Sequence, residues 1–564
     1  MKHPPPVLGL GLSSNAQVTD VPRPYELLRQ RPGVFDYLEY SAPLDVEAAA
    51  REASLFPEMM ARRDDVPLVY HPVHLNLFGP ATETPERLAQ LDRHCATVGS
   101  PWVSNDVAWW HERGTFLPGA LYLSPPLTLE MLEVCVAHAR AVRAALRVPL
   151  LLENPTVACA RGPLHVLDFM ARLSDATGCP VLLDVGHLVS HQLTRGRGLL
   201  DGLDDFDCGR VAQLHVAGGV ITTRGGRLHY VDDHPQPVRD EVWQLVEHLA
   251  PKCHGLRALT FEADGHPDLQ ALRGLERLRP FAPRPDRSVT GTLPDSALAE
   301  LTTTGHRPTA THRSVSTAAI TQPRPPREAL SASEAEACWA LFDDVHAGRG
   351  DDVAGALAEQ DFRLAVLAQA LDAEVPWARL ALAPGREALL AFMTSVAFRD
   401  GFARGLQLRD VFIAWGETRR EGVGVGARRL LDFEGWLAET ARRPSSTRPT
   451  GLATGVRLAT YGLDLGEVLF AARAVGRHLR DRAPWSSAGF EGSGVEGVLQ
   501  AAARAPGRAW TVALRPTGRR VEVIELSEEE LTVMRTLETG ASLDVPAQVA
   551  QGLLRRGLVT RSRP

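Results

Sequence analysis

The stretch VYHPVHLN (69–76) sets two imidazoles, His71 and His74, three residues apart at the end of a β-branched apolar run. Side chains three apart on an extended strand point to opposite faces, so these two do not grip one ion together, and only one of them faces an interior. The same kind of interruption recurs along the chain. LLLENPT ends its apolar run at Glu153-Asn154, CPVLLD ends at Asp184 with His187 just beyond, and VAQLHVAGG carries His215. Asp232-Asp233-His234 follows in the next connection, and LTFEADG places Glu262 ahead of Asp264. Taken singly, each reads as a core histidine or an ion-pair partner. Charged groups are costly to bury unless paired or metal-bound, so their repetition on run after run needs a common cause. Three or four histidines converging with about four carboxylates imply more than one cation, and mixed imidazole and carboxylate ligation suits iron, manganese or zinc better than magnesium or calcium.

Eight short apolar runs must position these groups: LGLGLSS, FDYLEY, VPLVYHPVHLN, WVSNDVAWW, VPLLLENPT, CPVLLDVGHL, VAQLHVAGG and LRALTFEADG. Helical patterns such as PERLAQLDRHCATVG and VRDEVWQLVEHLAP lie between them. Eight strands alternating with helices over about 250 residues predict an α/β fold, a (β/α)₈ TIM barrel, whose chemistry sits where strands end and βα loops begin. A doubly wound open sheet is the alternative, but no GxGxxG follows the first strand.

With 564 residues the chain exceeds one ordinary core. An apolar content of 44% and a charged content of 23% are those of a globular protein. No apolar run reaches the length of a membrane span, and the proline-rich MKHPPPVLGLGLSS does not read as a signal peptide. A net charge of -7 disfavours a general nucleic-acid binder. The seven cysteines form no CxxC pair, which points to a reducing, cytoplasmic setting. Fifteen of the 19 histidines precede residue 270, so imidazole chemistry belongs to the first half. The expected organisation is a barrel over 1–280, a Pro/Thr/Arg-rich flexible linker over 281–329, a helical domain over 330–505 and a winged-helix-like module for peptide or partner recognition over 506–564.

The first half resembles the multinuclear non-heme iron-dependent oxidative enzymes, barrel proteins related in fold to xylose isomerase that include the methanobactin-biosynthesis oxidase. The segments that carry the resemblance are LVYHPVHLN, LLLENPT, CPVLLDVGHL, VAQLHVAGG, YVDDHPQPVRDEVWQL and LTFEADG, in that order. It implies iron ligands at His71, Glu153, Asp184, His187, His215, Asp232, His234 and Glu262, and leaves His74 to packing or to outer hydrogen bonds. One departure stands out. Such enzymes commonly end the fourth strand in Ser-(Asp/Glu)-His, whereas here Ser104-Asn105-Asp106 puts a carboxylate where an imidazole is expected. Asp106 is counted in the ligand set as a harder, anionic donor; the alternatives are an altered or empty metal position, or His111 nearby as the substitute. Catalytic roles fall to His71, Asp106 and Asp232. The resemblance further implies two or three iron ions, O₂ as co-substrate, and oxidative maturation of a ribosomally made precursor peptide (a RiPP), at cysteine or a neighbouring residue. Trp109, Trp110 and Trp243 are expected to wall the site or pack its rim.

In the second half, three-to-four spacing places Phe392, Val396, Phe402 and Leu406 in a helical core. WTVALR and VEVIEL read as paired strands, followed by a capping box beginning at Ser527 and two helices. That order suggests the winged helix, read as a fused partner that recruits the peptide, as a packing module, or as a DNA-binding unit without a basic face. Homo-oligomerisation stays open. Rival readings for the whole are a metal-dependent sugar isomerase or epimerase, a zinc endonuclease-like enzyme, and a non-catalytic regulatory binding protein. An isomerase would place a lysine near its metals, yet the ligand-bearing segments contain none.

Overall fold

A computed structural model describes residues 6–42, 54–72, 74–117, 122–157, 159, 161–224, 227–285, 330–383, 385–442, 452–453, 456–472, 495–517, 520–539 and 545–559. Two compact units emerge, Met1–His111 with Tyr122–Gln360, and Glu112–Leu121 with Asp361–Pro564. The stretch expected as a linker lies outside the described residues from 286 to 329.

In the first unit eight parallel strands close into a barrel in sequential order. They are β1 (Gly9–Ser14), β2 (Tyr37–Tyr40), β3 (Leu68–Tyr70), β4 (Val103–Asp106), β5 (Leu150–Glu153), β6 (Val181–Asp184), β7 (Val211–Ala217) and β8 (Ala258–Glu262). Each is followed by a helix: α1 (Pro24–Gln30), α2 (Phe56–Arg62), α3 (Pro85–Val98), α4 (Leu129–Ala145), α5 (Val166–Thr177), α6 (Val185–Thr194), α7 (Asp240–Leu249) and α8 (Asp268–Leu278). The TIM barrel expected from the sequence is the fold found. Parallel strands covered on both faces read as continuous apolar runs, and Leu150, Leu151 and Leu152 are all buried. Local chemistry stops and starts the helices. Thr84 and Thr128 accept from the backbone N–H groups of Arg87 and Met131 to cap α3 and α4. Gly99 and Gly178 end α3 and α5 in the left-handed conformation.

The barrel's interior is layered. One core cluster takes Leu8, Tyr37, Val69, Trp102, Leu151, Leu182, Ala212 and Ala258, each from a strand or from the residue leading into it. Two residues further, on the same face, stand Glu39, His71, Ser104, Glu153, Asp184 and Thr260. The interior thus changes from apolar to polar over one repeat of the pleat. Between β7 and α7, where the sequence suggests a plain connection, the chain makes an antiparallel hairpin, Gly219–Arg224 with Arg227–Asp232.

The second unit packs short helices around Phe392, whose ring centroid lies 5.3 Å from Phe398, 4.8 Å from Phe412 and 5.1 Å from Trp415. Phe402 is buried as well, but Val396 and Leu406 are not core residues, being 74% and 38% exposed. Val396 opens the helix Val396–Ala403 directly after its cap Ser395, where side chains turn outward. The strands β9 (Arg457–Tyr461), β10 (Trp510–Thr517) and β11 (Arg520–Glu525) form an antiparallel sheet in the order β9-β10-β11. The helices Glu528–Thr539 and Ala547–Arg555 follow. The Ser527 capping box is present: the Glu530 backbone donates to Ser527 Oγ at 3.2 Å, and the Ser527 backbone donates to Glu530 Oε2 at 2.9 Å.

Candidate metal centre

The polar residues that end the barrel strands converge. Parallel register sets Asp106 beside Glu153 and Asp184 beside His215. Three groups of donor atoms result, each compact enough to hold one cation: His71 with Asp106 and Glu153, Glu153 with Asp184 and His187, and Asp184 with His215 and Glu262. Glu153 and Asp184 are shared, so the three positions form one chain across the barrel mouth. His71 Nε2 lies 3.5 Å from Glu153 Oε2, and His215 Nδ1 lies 3.3 Å from Glu262 Oε1. Asp232, at the end of the hairpin, brings Oδ2 to 3.5 Å from His187 Nε2 and 3.2 Å from His234 Nε2. His234 Nε2 stands 3.9 Å from Glu262 Oε2. Seven of the nine expected ligands therefore lie in the three groups, and Asp232 and His234 lie alongside at the rim.

Asp106 is among the seven, fully within the His71 group. His111 is elsewhere: its Nε2 bonds Glu83 Oε1 at 2.9 Å. His74 also turns away, with Nε2 3.1 Å from the Tyr70 hydroxyl and Nδ1 3.4 Å from the Arg87 guanidinium. Burial, and then the Arg87 charge, pull its pKa down to about 4, so it stays a neutral packing residue. Trp109 packs edge-on against Trp339 at 4.9 Å, Trp110 meets Tyr122 at 4.6 Å, and Trp243 takes the Arg277 guanidinium on its ring face at 3.7 Å.

The electrostatics of the cluster show a demand for positive charge. Burial pushes the carboxyls of Asp106 and Glu153 upward and that of Asp184 to about 7. For Glu262 and Asp232 burial acts in the same sense, but the neighbouring imidazoles outweigh it and hold both carboxyls down. His187, His215 and His234 titrate above the ordinary imidazole range, because the surrounding carboxylates outweigh burial. Asp106 Oδ1, Glu153 Oε2, Asp184 Oδ2, Asp232 Oδ1 and His215 Nδ1 are buried without a hydrogen-bond partner. Leaving such atoms unsatisfied costs about 1–3 kcal/mol each, and more for charged groups. Five such atoms at one place are a donor set that cations could satisfy.

The imidazoles are held from behind. His187 Nδ1 donates to the Asn154 carbonyl at 2.7 Å, which turns Nε2 toward Asp232. Asn154 in turn ties β5 to β6, accepting from the Asp184 backbone at 2.8 Å and donating to its carbonyl at 3.0 Å. Asp184 itself does two things, one oxygen capping α6 through the His187 backbone at 2.6 Å while the other is left to the cluster. The residue that sequence reasoning missed is Glu39. It is 1% exposed, sits at the end of β2, and lies 3.1 Å from His215 Nε2. Burial alone would raise its carboxyl, yet His215 and His71 hold it below the usual range. The available signal was the acid in FDYLEY, in phase with Tyr37 on the inward face.

A family model described as "RiPP precursor modification enzyme MbnB/TglH/ChrH" matches residues 20–277. Among curated relatives, a UPF0276 protein of Rhizobium meliloti is 28% identical over 214 residues, covering 37% of this chain and 69% of that protein. One of Caulobacter vibrioides is 30% identical over 214 residues, covering 38% and 74%. One of Streptomyces avermitilis is 31% identical over 234 residues, and there the match spans only 47% of the relative. A solved structure of a xylose isomerase domain protein from Planctomyces limnophilus is similar with a TM-score of 0.32 at 12% identity, covering 49% of this chain and 98% of that one.

Proposed function

The chain belongs to the family of RiPP precursor modification enzymes MbnB/TglH/ChrH, and from that membership we propose that its barrel oxidises a ribosomally made precursor peptide in an O₂-dependent reaction at a centre of two or three iron ions. The modified position is a cysteine or a residue beside it. The observation that carries the reading is the chain of three donor groups joined through Glu153 and Asp184. A single-ion hydrolase needs one such group, and a structural site would leave no buried orphans.

In this reading His71, Asp106 and Glu153 hold one ion, Glu153, Asp184 and His187 a second, and Asp184, His215 and Glu262 a third, with Asp232 and His234 at the mouth. Iron, when bound, supplies the redox chemistry with O₂ that no side chain can. The protein's own share is placement and charge. Asp106 brings an anionic oxygen where an imidazole is common, which favours higher cation charge at the His71 position. Trp110, Tyr122 and Tyr230 make the neighbourhood apolar. No described helix is long and apolar enough to cross a membrane.

The test is elemental analysis and Mössbauer spectroscopy of protein purified without oxygen, followed by O₂ uptake with a cysteine-bearing precursor peptide. Two or more irons per chain and a mass change in the peptide are expected. One zinc per chain with no O₂ uptake would overturn the reading.

A further inference from the structure

One buried carboxylate in the barrel belongs to none of the three donor groups, and its hydrogen bonds can be assigned atom by atom. Trp102 Nε1 can only donate, and it lies 2.8 Å from Gln213 Oε1, so the amide nitrogen of Gln213 faces Glu39 Oε2 at 2.6 Å and Thr260 Oγ1 at 3.0 Å. The Tyr37 hydroxyl meets Thr260 Oγ1 at 2.6 Å, and Thr260 donates onward to Glu39. Tyr37 has a place built for it, because a Cβ on Gly11 would come within 2.2 Å of its ring. Gln213 Nε2 also lies 3.1 Å from His215 Nε2, but its two protons go to Glu39 and Thr260, so His215 Nε2, 3.1 Å from Glu39 Oε2, itself carries a proton, since a bare nitrogen would oppose the carboxylate. The nitrogen left for a cation to take is then Nδ1, the atom that faces Glu262.

The other oxygen works through a relay. Ser104 Oγ donates to Glu39 Oε1 at 3.3 Å, which leaves that hydroxyl to accept from His71 Nδ1 at 3.0 Å. His71 therefore carries its proton on Nδ1 and turns a bare Nε2 toward Glu153. We propose that Glu39 is a positioning residue that sets the tautomers of two imidazoles at once, His215 directly and His71 through Ser104, so that each offers a lone pair to a different cation position. The inference rests on the metal-centre reading above and deepens it. Outer partners of metal-binding histidines fix ring orientation and basicity in this way.

Glu39→Gln separates the two arms. Three donors converge on Oε2 and one on Oε1, so the new amide oxygen takes the Oε2 side and keeps His215 as it was. The new NH₂ then faces Ser104, whose hydroxyl must accept from it and donate to His71, moving the His71 proton to Nε2. The full chain, stripped of metal, is titrated with Zn²⁺ as a diamagnetic probe, with bound metal counted by elemental analysis and ring protonation read from ¹⁵N shifts of labelled histidine. The E39Q chain should bind one Zn²⁺ about 10–100-fold more weakly than wild type, keep the others, and show only the His71 ring changing tautomer. Ser104→Ala should weaken the same position, and Ser104→Thr, which keeps the hydroxyl, should restore it. Wild-type stoichiometry and affinity in both E39Q and S104A would overturn the role of Glu39. If E39Q does not fold, the S104A and S104T pair decides. A wild-type chain that binds neither Zn²⁺ nor iron would instead overturn the metal reading itself.

Discussion

Two buried clusters of histidine and carboxylate lie near each other in sequence and differ in one respect. Around Glu83 the side chains answer one another: Oε1 accepts from His111 and from the Asn76 backbone at 2.9 and 2.8 Å, and Oε2 accepts from Arg87 at 2.9 Å. Asn76 goes on to hold the chain after β4, accepting from Trp110 at 2.8 Å and donating to the His111 carbonyl at 2.8 Å. At the strand ends, by contrast, four carboxylate oxygens and one imidazole nitrogen are buried with no partner. The first cluster is complete and holds the loops after β3 and β4 in shape. The second is left open, with donor groups that could hold cations. Residue type does not separate a structural network from a metal site; the balance of donors and acceptors does.

Breaking the second cluster should have the largest effect. Glu153→Ala removes an oxygen donor from two groups at once, so bound metal should fall by two positions in elemental analysis, and activity by more than the roughly 100-fold typical of losing an outer partner. Loss of one position only would show that Glu153 is not shared. In the first cluster the expected loss is of stability. Burial alone would raise the Glu83 carboxyl, but His111 and Arg87 hold it down to about 2. A folded pKa below the unfolded value contributes stability that is present above about pH 4.5 and is lost as pH falls toward 2. Glu83→Gln should remove that acid-dependent slope in urea midpoints measured between pH 6 and pH 3, at a cost on the order of 3 kcal/mol at neutrality, with bound metal unchanged. His74→Ala should cost less, about 1–3 kcal/mol, by taking a partner from Tyr70 and Arg87, again with the metal count intact. A drop in bound metal in either variant would erase the distinction between the clusters. The smallest change is expected of Asp106→His, which puts an imidazole in place of the carboxylate: the number of metals per chain should hold or rise.

Much of this was legible before any fold was known. The barrel could be counted because strands buried on both faces leave unbroken apolar runs, each closed by the polar residue that interrupts it. The His71 and His74 pair could be resolved by the pleat alone, and the structure turns the two to different partners. Glu39 escaped because FDYLEY offered an acid between two tyrosines, where an ion pair is the ordinary explanation. The hairpin that delivers Asp232 escaped too, although TTRGGRLHYV carries a Gly-Gly turn signal between β-rich runs. In the second unit β9 pairs with β10 across more than 45 residues, a non-local choice that leaves little local trace.

The sequence by itself determined the periodicities: which residues share a strand face, where apolar runs stop, and which side chains there can bind a cation. These are local consequences of the pleat and of side-chain chemistry. Only the tertiary structure decided which of those groups meet. Barrel closure sets β1 beside β8 and brings β2 across the interior to β7, so Glu39 reaches His215 from 176 residues away. Closure also decides which lone pairs find a proton and which are left for a metal, because that depends on every neighbour around the barrel and not on any one strand.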